Sequence, residues 1–223
     1  MSLTHLGIIA DGNRRWAKSQ GLPTIEGHKK GLDAIQELVE EASKTEIKYL
    51  TFYVFSTENW GRSADEVGYI MKLAETRILK YAEKLKKNNA RLIILGSKER
   101  ISPTLAGIIE KAEKLTEDCT GLTVCFCFNY GGEKEIADAA NIALEADGEI
   151  TPETIRKHLY HPEIPDIDMV VRTSGEERIS GFMLWRASYA EFMFVKKFFP
   201  EMGAEDIEII LKEYEIRNRR FGK

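Results

Sequence analysis

The chain has 223 residues, and its 32 lysines and arginines stand against 36 aspartates and glutamates, which gives a net charge of −4. This length suits one large domain, and the charge excludes the general attraction to nucleic acid that a basic protein has. The amino terminus has no secretory signal, and no apolar run approaches the roughly 20 residues of a membrane span. The spacing of the three cysteines predicts free thiols in a reducing compartment. We therefore expect one soluble, cytoplasmic domain over residues 1–223.

Apolar runs of strand length recur along the chain, at 6–10, 49–55, 92–95, 122–128 and 169–171. Amphipathic segments lie between most of them, and this alternation predicts an α/β fold with a mainly parallel sheet flanked by helices. Helical spacing of apolar residues predicts helices over 32–42, 65–88 and 204–214. Ser102 and Thr151 each precede a proline and predict helix caps, whereas Gly131, Gly132 and Gly148 predict turns. The broad apolar stripe of 65–88 either packs on the sheet or walls a hydrophobic cavity.

The first predicted strand ends abruptly at Asp11, and Gly12, Asn13, Arg14 and Arg15 follow it. Ligands bind at the carboxyl ends of parallel strands, where the free N–H groups of the next helix and two guanidinium groups favour phosphate. Asp11 has the wrong sign for such a ligand unless a divalent cation such as Mg2+ bridges the two. The alternative is an ordinary turn, because aspartate, glycine and asparagine are common there.

Polar clusters follow three further strands: 56–62, 129–132 and 172–180. The planar fork of arginine suits a diphosphate, so Arg62, Arg172 and Arg178 are candidate ligands. Each cluster also has a structural interpretation, since Arg62 can form a surface ion pair and Arg172 can pair with a nearby glutamate. His28 suits a helix start as well as catalysis. The chain has neither a Walker A loop nor a dinucleotide fingerprint.

Together these segments resemble the cis-prenyltransferases, the family of undecaprenyl diphosphate synthase. The resemblance runs from His5 to Gly222 and rests on motifs in the family's order. The matching segments are 5–17 with 27–29, 55–60 with Arg62, 129–132, and 172–176 with 178–180 and 189–191.

The resemblance implies a magnesium-dependent, homodimeric transferase that condenses isopentenyl diphosphate with an allylic prenyl diphosphate to form a cis-polyprenyl diphosphate. It implies Asp11 and Glu191 as metal ligands, and Val54 and Phe128 in a hydrophobic tunnel between the sheet and the long helix. The candidate catalytic residues are Asp11, Ser56, Asn59 and His28. The candidate substrate-binding residues are Gly12, Asn13, Arg14, Arg15, Trp16, Trp60, Arg62, Arg172, Arg178, Ser180, Arg220 and Gly222, the last two reaching across the dimer.

Three positions depart from the family pattern. Thr24 replaces an arginine of many members, Ser174 replaces a glycine, and Glu177 replaces a histidine that bacterial enzymes often have. Phe128 fills space in the implied tunnel and predicts a short or medium product, although a glycosyl-carrier lipid precursor is the usual destination. Two alternatives are transfer to an unusual acceptor or with unusual regiochemistry, and a non-catalytic accessory subunit. Membrane contact is expected only peripherally, for product release.

Overall fold

The computed structural model describes residues 2–217. Its six strands are β1 His5–Ile9, β2 Tyr49–Ser56, β3 Arg91–Leu95, β4 Thr123–Tyr130, β5 Met169–Arg172 and β6 Glu191–Phe194. They form one sheet in the order β3-β4-β2-β1-β5-β6, and every neighbouring pair is parallel. The strand order changes direction at β1, which lies between β2 and β5. Such a switch point opens a crevice at the carboxyl ends of the strands.

Seven α-helices connect and flank the strands. They are α1 Asn13–Ser19, α2 Thr24–Ala42, α3 Ala64–Lys87, α4 Pro103–Thr116, α5 Gly132–Asp147, α6 Pro152–His158 and α7 Ala204–Glu215. The two predicted caps are confirmed: the Ser102 hydroxyl accepts the Leu105 N–H at 3.0 Å, and the Thr151 hydroxyl accepts the Thr154 N–H at 3.2 Å. Short 3₁₀ helices occupy Thr57–Gly61 and Phe199–Glu201.

The predicted α/β fold is confirmed, with two differences in its elements. The four-residue edge strand β6 was not predicted, because its apolar residues are too few to stand out from the loop around them. The glycine pair does not form a separate turn, since Gly131 is the N-cap of α5 and Gly132 is the first residue of that helix. Gly148 does end the helix, in the left-handed conformation with a φ of 78°.

Alternate residues of the strands pack against the two faces of the sheet. Leu6 and Leu50 are fully buried in the larger core cluster, which includes Leu38 of α2. Ile9 and Cys127 belong to the cluster on the other face. All three cysteines are free thiols, as predicted, and burial raises the pKa of Cys125 to about 12. No helix within residues 2–217 has both the length and the apolar character needed to cross a bilayer.

Candidate active site

The carboxyl ends of β1, β2, β4 and β5 surround a cleft of about 1370 Å³. Residues from all four polar clusters of the sequence line it, including Asp11, Gly12, Asn13, Arg14, Arg15, His28, Ser56, Asn59, Arg62, Gly131, Gly132, Arg172 and Ser180. Parallel strands bring these distant segments together because their carboxyl ends meet at one edge of the sheet. The structure thus places most of the predicted site residues around a single cavity.

Asp11 lies between two arginines at the centre of this cleft. Its Oδ2 accepts a hydrogen bond from Arg172 Nη2 at 3.0 Å, and its Oδ1 lies 3.2 Å from Arg15 Nη2. Partial burial alone would raise the pKa of Asp11, but the hydrogen bond from Arg172 and the charges of both arginines lower it below the usual value. The carboxylate is therefore ionised at neutral pH, and its 31% exposed side chain is open to the cleft.

The ion pairs continue from Arg15 toward the loop after β5. Arg15 Nη1 lies 2.8 Å from Glu176 Oε1, and Arg178 Nη1 lies 2.6 Å from Glu176 Oε2. Arg172 contacts the same loop, because it donates hydrogen bonds to the Arg178 carbonyl and, at 2.8 Å, to the Ser180 hydroxyl. Three guanidinium groups are thereby collected at the mouth of the cleft, where they suit a diphosphate.

Gly12 shows why the first motif has a glycine at this position. Its φ of 102° is left-handed, and a Cβ atom there would lie 2.0 Å from the Ser174 hydroxyl oxygen. Ser174 itself has a φ of 76° although it carries a side chain. The departure from glycine at position 174 therefore places a hydroxyl directly behind the first turn of the site.

Glu66, at the start of α3, was not singled out from the sequence. Its carboxylate lies 2.9 Å from Arg62 Nη1, 3.4 Å from His28 Nε2 and 3.6 Å from Arg14 Nη1. Burial is the main cause that lowers the pKa of His28. The four-residue spacing between Arg62 and Glu66 is typical of a helical ion pair, but the two partners from other segments need the fold.

The second motif is braced by its own hydrogen bonds. The Ser56 N–H donates to Asn59 Oδ1 at 3.2 Å, which fixes the entry into the 3₁₀ helix. The Trp60 indole donates to Asn129 Oδ1 at 2.7 Å. The Arg100 guanidinium lies 4.4 Å from the centroid of the Trp60 ring. Trp60 packs edge-on against Phe55, outside the cleft wall. Trp16 and Arg178 also do not line the cleft wall. The Arg178 side chain lies at the rim and is 61% exposed.

A second cavity, of about 290 Å³, lies beside the cleft between the sheet, α2 and α3. Its wall is mainly apolar and includes Leu32, Ile70, Ile78, Tyr81, Phe126 and Phe128. Four residues line both spaces: Ala10, Asn13, His28 and Val54. We call these four residues the neck, because they mark the boundary between the polar cleft and the apolar cavity.

Glu191 lies apart from the other candidate metal ligand. It is the first residue of β6 and pairs with Met169, the first residue of β5, so it lies where the parallel strands begin. Asp11 lies at the opposite ends of the strands, because it follows the carboxyl end of β1. Its Oε2 lies 3.3 Å from Arg217 Nη1. One chain therefore does not bring the two carboxylates together, and residues 2–217 contain no group of three histidine, cysteine or acidic side chains suited to a metal ion. Arg220 and Gly222 are outside the described residues.

Comparison with known proteins agrees with this geometry. The family described as "Putative undecaprenyl diphosphate synthase" matches residues 9–222. The chain belongs to this family of prenyltransferases. It is 43% identical to an isoprenyl transferase of Neisseria meningitidis serogroup B, over 98% of this chain and 89% of the relative. It is 44% identical to a (2E,6E)-farnesyl-diphosphate-specific ditrans,polycis-undecaprenyl-diphosphate synthase of Vibrio parahaemolyticus, over 98% and 90% of the two chains.

Solved structures of prenyltransferases have the same fold. Lavandulyl diphosphate synthase from Lavandula x intermedia, in complex with dimethylallyl diphosphate, superposes with a TM-score of 0.93 at 32% identity, over 100% of this chain and 99% of the other. A probable undecaprenyl diphosphate synthase from Campylobacter jejuni gives a TM-score of 0.86 at 33% identity, with both chains fully covered. The chain is thus an enzyme of the undecaprenyl diphosphate synthase type, as the sequence motifs predict.

Proposed function

We propose that this prenyltransferase condenses isopentenyl diphosphate with an allylic prenyl diphosphate to form a cis-polyprenyl diphosphate of short or medium length. The observation that supports this most strongly is the proximity of two spaces with opposite chemistry. An arginine-rich cleft suits diphosphates, and the neck residues that line it also line an apolar cavity that suits a hydrocarbon tail.

The two diphosphates have separate places in this proposal. The allylic diphosphate binds over Gly12 and Asn13 with Arg14 and Arg15, and its tail passes the neck. Isopentenyl diphosphate binds at Arg172, Ser180 and Arg178. The double bond of the isopentenyl group then attacks C1 of the allylic group, and the bond from C1 to the diphosphate breaks. A proton is lost from C2 of the isopentenyl unit. Arg14 and Arg15 stabilise the negative charge of the leaving diphosphate.

We also propose that the enzyme uses Mg2+. An ionised, half-buried carboxylate at Asp11 is a suitable hard ligand, because Mg2+ commonly binds one or two carboxylates together with substrate phosphates. When bound, the ion would neutralise charge on the leaving diphosphate. Glu191 can contribute only if a second subunit brings it to Asp11, since the two residues lie at opposite edges of the sheet in one chain.

The length of the product is proposed from the size of the cavity. Its volume is about 290 Å³, and the rings of Phe126, Phe128 and Tyr81 occupy its wall. Phe128 is packed against Phe55, with ring centroids 5.5 Å apart, so it is held in place by its neighbours. A fixed ring limits the length of tail that the cavity accepts.

We propose that two chains form a homodimer through the surface around β6, an outermost strand of the sheet. Tyr189 before β6, Phe194 at its end and Ile216 after α7 are exposed large side chains, by 71%, 38% and 73%. Covering an edge strand and exposed apolar side chains is a common basis for dimer formation. Peripheral membrane contact for product release and use of the product as a glycosyl-carrier precursor belong to the same proposal.

A second candidate function is transfer to an unusual acceptor or with unusual regiochemistry. It is favoured by the likeness to lavandulyl diphosphate synthase in complex with dimethylallyl diphosphate. It is also favoured by Thr24 and Ser174, which alter the cations and the backbone around the cleft.

The test is incubation of the purified protein with Mg2+, radiolabelled isopentenyl diphosphate and allylic primers of graded length, followed by sizing and structural analysis of the products. We expect regular cis chains of short or medium length. Label in a branched or irregular product would support the second candidate. No incorporation with any primer would contradict the proposal and favour an accessory subunit.

A further inference from the structure

Charged side chains line the apolar cavity between α2 and α3, although its wall is otherwise mainly hydrophobic. They are Arg77, Lys80 and Lys84 of α3 and Asp33 of α2, and we call these four residues the basic rim. All four are exposed and also line the cavity, so the cavity reaches solvent between the two helices. The basic rim has three cations and one anion, in a protein whose net charge is −4.

The basic rim is remote from the cleft. Glu66, which lies 3.4 Å from His28 of the neck, is in the first turn of α3. Lys80 lies about 20 Å further along the same helix, by the rise of an α-helix per residue. None of the three cations of the basic rim lines the cleft. The apolar cavity therefore has positively charged side chains at a second place, apart from the arginines that suit a diphosphate.

Two cations of the basic rim have no partner in the protein. Within residues 2–217, the side chains of Arg77 and Lys80 form neither an ion pair nor a hydrogen bond, and the Asp33 carboxylate pairs with neither of them. Lys84 differs, because its Nζ donates to Gln36 Oε1 of α2 at 3.0 Å. The charges of Arg77 and Lys80 are thus available to an anion at the solvent boundary of an apolar space.

A buried hydroxyl group lies close to these cations on α3. Tyr81 follows Arg77 by one helical turn and lines the same cavity, and residues at this spacing are neighbours on a helix surface. Its hydroxyl oxygen is buried and has no hydrogen-bond partner in the described part of the chain. Buried polar groups usually have a partner, so this hydroxyl is a further donor that a bound molecule can use.

We infer that the basic rim binds a single-chain carboxylate amphiphile of the fatty-acid class, with its hydrocarbon chain in the apolar cavity. The planar fork of Arg77 matches a carboxylate, and Lys80 adds a second charge-assisted contact. A cavity of about 290 Å³ suits one chain better than the two chains of a membrane phospholipid. An occupied cavity has no room for a prenyl tail, so, on the basis of the proposed function, this ligand competes with the allylic substrate.

The test measures binding of decanoate by calorimetry at low ionic strength, below its micelle concentration, with decanol as the uncharged ligand of equal length. Decanoate should bind one to one and roughly 10-fold more tightly than decanol, as two exposed ion pairs allow. The double variant Arg77→Gln with Lys80→Gln should lose this preference and keep its affinity for decanol. The matched control is Lys86→Gln with Lys87→Gln, which removes two cations of α3 that do not line the cavity and should match the wild type.

A second variant and a second probe locate the chain and the source of the head group. Ala74→Leu fills part of the cavity and should weaken binding of both decanoate and decanol. The inference is overturned if the wild type binds decanoate no better than decanol, or if the double variant keeps the preference. It is also overturned if vesicles of phosphatidylglycerol bind and decanoate does not, because the cations would then belong to a membrane-binding surface.

The competition is measured separately from the binding. In the condensation assay, decanoate should raise the KM for the allylic primer in the wild type, and the double variant should need roughly 10-fold more decanoate for the same effect. An unchanged KM at saturating decanoate would overturn the shared use of the cavity. Because the calorimetry contains no prenyl substrate, a wild type that binds decanoate but forms no prenyl product would refute the proposed function and leave the binding site established.

Discussion

Two buried arginines, Arg172 and Arg186, lie in different parts of the fold and differ in how fully their donors are used. Their exposure is similarly low, at 4% and 0%. Arg186 donates to Glu135 at 2.8 Å and to the carbonyls of Ile164, Tyr160 and His161 at 3.3, 2.8 and 3.1 Å. Arg172 faces the cleft, and its Nε is a buried donor without a hydrogen-bond partner in the described structure.

The contrast separates a guanidinium group that holds the fold from one that is available to a ligand. The acceptor of Arg186 is itself saturated, because Glu135 also receives the Tyr130 hydroxyl at 2.5 Å and the Tyr160 N–H at 3.0 Å. A buried network of this kind fixes neighbouring segments when every member has a partner. Buried donors without a partner are few in native proteins, and one beside a cavity is available to a ligand.

The largest expected effect is at Asp11, the partner of Arg172 in the cleft. Asp11→Ala should reduce turnover by about 10³-fold or more, because it removes the carboxylate proposed to hold the metal at the leaving diphosphate. The fold should persist, since the Asp11 side chain is partly exposed. Steady-state kinetics and thermal unfolding measure the two effects, with the exposed and remote Asp118→Ala as the control. Retained turnover would remove Asp11 from the mechanism.

The same substitution at both arginines tests the contrast directly. Arg186→Met should lower the free energy of unfolding by about 3 to 5 kcal/mol, because it leaves the Glu135 carboxylate buried without its cation. Arg172→Met should cost about 1 kcal/mol, since Asp11 keeps Arg15 and access to water, but should lower kcat/KM by roughly 10- to 100-fold. Urea unfolding and kinetics are the measurements. Equal losses of stability would show that the two sites do not differ in this way.

A smaller effect is expected in the apolar cavity. Phe128→Ala should lengthen the products, because it removes a ring from the wall of the cavity proposed to hold the growing tail. Ile109→Ala is a matched control, since Ile109 belongs to the same buried cluster but does not line the cavity. Both variants should be less stable than the wild type, but only Phe128→Ala should change the product ladder. Unchanged product lengths would mean that another residue sets the limit.

The smallest effect at neutral pH is expected for His5, a buried residue whose two ring nitrogens both have hydrogen-bond partners. Burial lowers its pKa from 6.5 to about 4, and its ring is hydrogen-bonded to the Pro165 carbonyl and the Thr51 hydroxyl. Because the pKa is lower in the folded state, stability should be lost as pH falls from 6.5 toward 4, by about 3 kcal/mol at the acid limit. Urea unfolding at several pH values measures this loss. His5→Gln should flatten the dependence, and an unchanged slope would assign it to other groups.

The parts of this molecule that could be predicted are those encoded by local pattern. Strand runs interrupted by polar turns located the clusters at Asp11, Ser56 and Arg172, and parallel strands were sufficient to bring them to one edge. The roles of Glu66 and Arg186 depend on partners far along the chain, and no local pattern encodes them. Glu135, for example, precedes Arg186 by 51 positions.

The position of Glu191 illustrates the same limit. Its sequence motif suggested a place near Asp11, but the unpredicted strand β6 begins at this residue and puts it at the opposite edge of the sheet. A short edge strand carries little periodicity, and its register follows from its neighbour β5 rather than from its own residues. The motif resemblance therefore predicted a role for Glu191 but not its position in the fold.

The neck has a consequence for inhibitor selectivity. Ala10, Asn13, His28 and Val54 line both the polar and the apolar space, so a compound that filled both spaces would contact these residues. A slender, unbranched chain attached to a doubly charged head meets that requirement, whereas a rigid polycyclic anion is restricted to the outer compartment. Affinity gained in the two compartments by one linked molecule exceeds that of its separate halves, because the second contact is intramolecular.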